Sequence, residues 1–241
     1  GEIAPEVFKK IKDRYHQRLR LTTRHLHELV SKRLIRRKNA GSTTIIGHLF
    51  DNLKRAFNRI PMTRETFISI YPVHPETLEL LNQNIDLFSQ RRGIVDFLTA
   101  RIGGRTGSQI AGILDQPCTS LLTPDVIFDH FIDRLSESPR FSPYYMLYQQ
   151  QMETRIDSLF VDETERQVAL RTVKTLIVLA VSPLSESRST RELANMVLYQ
   201  VMDGSIAVGE ANYAFFEERI LRKLYENIGA IRRTSGETPL D

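Results

Sequence analysis

The 241 residues include one cysteine, Cys118, which excludes an intramolecular disulfide and a cysteine-based zinc site and fits a reducing compartment. Long hydrophobic runs are also missing. The longest, Leu176–Val181, is far short of the ~20 apolar residues of a membrane-spanning helix. No charged-then-apolar leader opens the chain, so the expected location is the cytoplasm, with no membrane partner. The phosphate-loop pattern G-x-x-x-x-G-K-[ST] does not occur. Gly103–Ser108 is glycine-rich but has no lysine, and no strand pattern precedes it, so it reads as a loop. No serine–histidine–acid or cysteine–histidine constellation stands in a recognisable context, and the carboxylates are spread along helices instead of meeting at loop tips. The chain is therefore not expected to be an enzyme or to bind a metal by itself.

Charge is present but unevenly placed. Between Lys9 and Lys38 there are twelve Lys or Arg against two acids, Asp13 and Glu28, although the whole chain carries only +4. The remainder is thus net acidic. A segment of this kind suits a polyanion, a nucleic-acid backbone above all, and its end, with Lys32, Arg33, Arg36, Arg37 and Lys38, supplies the candidate contacts. A basic solvated face that pairs with another acidic surface is the competing reading. His25 and His27 lie two apart and so point to different helix faces, which argues against a shared metal.

Hydrophobic spacing is helical almost throughout. A first helix is expected from Pro5 to about Lys38, and a second carries Ile46, Leu49, Phe50, Leu53 and Phe57. The most informative stretch is Tyr71–Gly104. Pro75 opens one helix, with Leu78, Leu81 and Ile85 as its stripe, and Ser89 caps another, with Ile94, Val95, Phe97, Leu98 and Ile102 facing inward. Arg91 and Arg92 fall in the first turn of that second helix, where the dipole is positive and acids are favoured, so a bound phosphate would explain them. A solvated pair with Arg92 leaning on Asp96 is the plainer alternative. Further on, Thr123-Pro124-Asp125 starts a helix whose Asp125, Asp129 and Asp133 are expected to form a solvated ridge.

Tyr-Pro-Val-His-Pro at 71–75, Phe-Ser-Gln-Arg-Arg-Gly at 88–93, and Leu-Leu-Thr-Pro-Asp with Ile-Phe-Asp-His-Phe at 121–131 resemble a family of very large prokaryotic ATP-binding proteins. These are the AAA-type ATPases of BREX and Pgl phage-defence systems. The resemblance implies that the chain is the helical lid region after a nucleotide-binding core, with Arg91 or Arg92 in the place of the sensor-2 arginine. It further implies ATP and Mg²⁺ for the parent protein, with no cofactor held by this region alone. Its partners would be the ATPase core of the same parent chain, DNA, or other defence-system proteins.

From Val161 onward, Asp162-x-x-Glu165 and Ser189-x-x-Glu192 read as capping boxes, and the stripe Phe216, Ile220, Leu224, Ile228 marks a third helix. A strand from Ala230 turning into a wing is expected next, with Arg232 and Arg233 as phosphate contacts. This unit resembles a winged helix-turn-helix. Glu217, Glu218 and Glu226 offset Arg219, Arg222 and Lys223 on the third helix, so protein contact competes with DNA contact. The fold expected is mainly α with little strand: a basic helical segment (1–70), a lid-like helical bundle (71–160) and a winged-helix-like three-helix module (161–241). A free-standing helical nucleic-acid-binding protein is the alternative function.

Overall fold

The computed structural model describes residues 22–39, 41–88, 93–105, 107, 110–139, 141–183, 187–199 and 208–234. These residues are mainly helical and form no strand. Only two isolated bridges occur among them, Val73 to Leu122 and Arg105 to Ile110. The helices are α1 (Thr23–Leu29, continued by a π-turn at Val30–Leu34), α2 (Gly41–Ala56), α3 (Arg64–Ile70), α4 (Pro75–Gln83), α5 (Ile85–Phe88), α6 (Gly93–Gly103) and α7 (Asp125–Glu137). They are followed by α8 (Ser142–Leu147, a π-turn at Tyr148–Met152, then Glu153–Leu159), α9 (Glu163–Val181), α10 (Thr190–Val197) and α11 (Glu210–Phe216, a π-turn at Glu217–Leu221, then Arg222–Asn227).

Helix α9 is the axis of the packing. Its 19 residues bury Val168, Val173, Ile177, Val178, Leu179 and Val181, and α7, α8, α10 and α11 all pack on it. A helix apolar around so much of its circumference has to lie inside a layer of others. The buried cluster runs without a break from Leu26 in α1 to Ile228 after α11. A smaller cluster of Ile46, Phe50 and Phe67 holds α2 to α3.

Helix starts follow the local chemistry. The His74 ring accepts from Glu76 N–H at 3.2 Å ahead of Pro75, Thr63 Oγ1 accepts from Thr66 N–H, and Asp162 accepts from Glu165 N–H at 2.8 Å. Ser189 and Glu192 close a full capping box. Gly104 ends α6 with φ +77 and lies against Gly112, where a Cβ would meet its backbone.

Other expectations fail for identifiable reasons. The first helix stops at Leu34, short of Lys38, because Ile35 turns extended (φ −113, ψ 124); residues 5–21 lie outside the described residues. Val95 is 41% exposed and does not face the core. The sequence pattern carries α10 on to about Met202, but the helix ends at Val197, with Leu198 in the left-handed region. Residues 230–234 form turn and irregular backbone with no strand, while Ser235 and Gly236 of the expected wing lie outside the described residues.

Candidate interaction site

The basic segment is built by the way α1 ends. The π-turn at Val30–Leu34 packs on α3 and α6, and Ile35 N–H closes it on the Val30 carbonyl at 3.0 Å. The chain then leaves in extended form. Arg37 turns inward, where its guanidinium donates to the Ile68 carbonyl in the last turn of α3. A cation suits that helix end. With Arg37 as an anchor, the neighbouring side chains are held at the surface. Arg33, Arg36 and Lys38 are exposed and have no ion-pair or hydrogen-bond partner among the described residues. Lys32 lies 3.7 Å from Glu28 and is partly neutralised.

Across the seam between α7 and α9, by contrast, charge is compensated inside the molecule. Asp125 and Asp129 do not form the solvated ridge that their spacing suggests. Asp125 is 6% exposed and 3.6 Å from Arg171 Nε, and Asp129 is 2.7 Å from Lys174 Nζ, so the acidic face of α7 meets a basic face of α9. Burial pushes the Arg101 guanidinium below its ordinary pKa, against the pull of Asp129 and Asp125. At the edge of this seam Asp96 pairs with Arg105 and lies 3.5 Å from His130 Nε2. The His130 ring sits edge-on to Phe97, with centroids 5.1 Å apart. Burial, then the Arg101 charge, lowers its pKa to about 4, with Asp96 opposing. Burial alone dominates at His74, which is 1% exposed and also lowered to about 4.

Two of the segments that carry the family resemblance, 71–75 and 121–125, meet in space. His74 N–H donates to the Leu122 carbonyl at 3.1 Å, Leu122 N–H donates to the Pro72 carbonyl at 2.9 Å, and Thr77 Oγ1 also donates to Leu122 O. The segments 71–75 and 121–125 thus form one joint between α4 and α7. Ser89, Arg91 and Arg92, the expected cap and sensor position, lie outside the described residues.

Arg232 is exposed after α11. Arg233 is also exposed but lies 3.7 Å from Glu217 and 6.0 Å over the Tyr225 ring, so its charge is partly matched within the fold. Glu217, expected on the surface of a recognition helix, is 6% exposed and accepts from Thr190 Oγ1 at 2.7 Å. Among the described residues no group of three or more His, Cys, Asp or Glu is placed to hold a metal, and no helix is long and apolar enough to cross a membrane.

Residues 39–198 match the family described as the DUF6079 second domain. The chain belongs to that family. The match begins directly after the basic segment and includes the joint of α4 with α7, all of α9, and α10. No curated protein and no solved structure matches the chain.

Proposed function

We propose that the chain is a helical regulatory region of a large AAA-type ATPase of prokaryotic phage defence, and that segment 33–38 is its contact with a nucleic-acid backbone. The observation that carries this reading is the cluster of three exposed, unpaired cations, Arg33, Arg36 and Lys38, beside an anchoring Arg37. In a molecule that pairs Arg171, Lys174, Arg59 and Arg191 with its own carboxylates, cations left unpaired in one short segment are matched to charge outside the fold. Phosphates spaced along a backbone supply such charge and release counterions when neutralised. The family description, a second domain, supports placement within a longer protein.

ATP and Mg²⁺ belong to the parent's core on this reading. Arg91 or Arg92 is the residue of this chain assigned to the nucleotide, and coupling runs from there to the nucleic acid or to another defence-system protein. The cytoplasm is the compartment in which such a protein works.

The test is the anisotropy of a labelled DNA duplex titrated with the chain at several salt concentrations. Three phosphate contacts give a log–log salt slope of about −2.7, and Arg33→Glu, Arg36→Glu, Lys38→Glu together remove the binding. Salt-independent binding, or equal binding by the triple variant, contradicts the assignment. For the nucleotide arm, Arg91→Glu with Arg92→Glu in the parent protein lowers ATP turnover; unchanged turnover removes the sensor role.

A further inference from the structure

A second site is built where α9, α10 and α11 converge, away from the basic segment. The cavity there measures about 250 Å³. Its walls mix apolar side chains, Leu176, Leu193, Leu221 and Ile231 among them, with three guanidinium groups, Arg188, Arg232 and Arg233, and, among the described residues, one carboxylate, Glu217.

The carboxylate is already engaged. Glu217 opens the π-turn of α11, and the widened turn sets it inward, where it accepts from Thr190 Oγ1 at 2.7 Å and from Tyr225 OH at 3.3 Å and faces Arg233 at 3.7 Å. It therefore has little capacity left for an incoming cation. The guanidinium groups differ in this respect. Arg188 Nη1 meets Glu192 at 3.2 Å, while Arg188 Nε is buried with no acceptor among the described residues. The Arg188 side chain keeps 20% exposure, so beyond the bond to Glu192 its guanidinium has N–H capacity that an arriving oxyanion can use. Arg232 stands exposed at the rim.

We propose that this cavity binds a small anion with an apolar body, its carboxylate or phosphate monoester head on Arg188 and Arg232 and its body against the leucines of α9 and α10. The volume suits one ring with its head group, below the ~300 Å³ at which pockets for larger ligands begin. This inference stands apart from the nucleic-acid reading, because none of its residues belongs to segment 33–38.

Calorimetric titration of the full chain with benzoate, phenyl phosphate, benzylamine and inorganic phosphate tests it. Benzoate or phenyl phosphate binds, the tighter of the two naming the head group, while benzylamine and inorganic phosphate do not. Arg188→Gln weakens the bound anion about tenfold, as loss of a charge-assisted contact does. Arg188 also supports the start of α10 through Glu192, so the exposed Arg232→Gln provides an independent variant and lowers affinity severalfold. Ile231→Trp narrows the cavity and abolishes binding. No heat from either aromatic anion at millimolar concentration overturns the proposal, as does equal binding of benzylamine or inorganic phosphate, or unchanged affinity in both arginine variants.

Discussion

The seam between α7 and α9 and the segment 33–38 are both rich in charge, and they treat it in opposite ways. In the seam, Asp125 and Asp129 meet Arg171 and Lys174 across two packed helices, and Asp125 is almost wholly buried. In the segment, only Arg37 finds an internal acceptor, and Arg33, Arg36 and Lys38 are left at the surface. Charge taken out of water has to be matched within the fold, or its desolvation is not repaid. Charge left in water contributes little to stability and is free for a partner. Substitutions in the seam should therefore be read out as unfolding, and substitutions in the segment as lost binding.

The largest effect expected on stability is from Asp125→Ala. It leaves Arg171 without its carboxylate, takes away one of the two acids that offset the Arg101 charge, and costs about 3 kcal/mol in chemical denaturation. A cost near zero would place the seam in the same class as surface charge and erase the contrast. Acid provides the next test. Unfolded His74 takes up a proton near pH 6.5, but the folded protein takes it up only near 4. Between these values the unfolded chain binds more protons, so stability falls as pH drops through the window and does not depend on this group above it. The loss from His74 is about 2 kcal/mol by pH 5. His74→Gln should flatten that part of the profile, and His130, shifted in the same direction, should contribute a further slope. A smaller effect, about 1 kcal/mol, is expected for Ser189→Ala, which removes the cap of α10. Thermal denaturation measures it, and an unchanged midpoint would mean that the Arg188–Glu192 pair alone holds that turn. Smallest of all is the stability change on reversing Arg33, Arg36 and Lys38, whose unfolding midpoint should stay at the wild-type value.

The local rules were legible in the sequence. The starts at His74-Pro75, Asp162 and Ser189 depend on contacts within a few residues, and each side chain accepts the hydrogen bond that its position implies. The stripes were legible too: Leu78, Leu81, Phe97, Leu98, Phe216, Ile220 and Leu224 are all buried. What escaped depended on partners far along the chain or on a change of helical register. Asp125 and Asp129 look solvated until α9 brings Arg171 and Lys174 against them, and no periodicity within α7 reports that. Glu217 reads as a surface acid at 3.6 residues per turn, but a π-turn carries it to Thr190 and Arg233. Arg37 looked like one more phosphate contact, because nothing nearby in sequence announces the Ile68 carbonyl.

The most direct test joins the two properties in one protein. Arg33→Glu, Arg36→Glu, Lys38→Glu is compared with wild type for both its urea midpoint and its affinity for duplex DNA at low salt. An unchanged midpoint with DNA binding lost is the expected result. A lowered midpoint, or binding retained at wild-type strength, would contradict it.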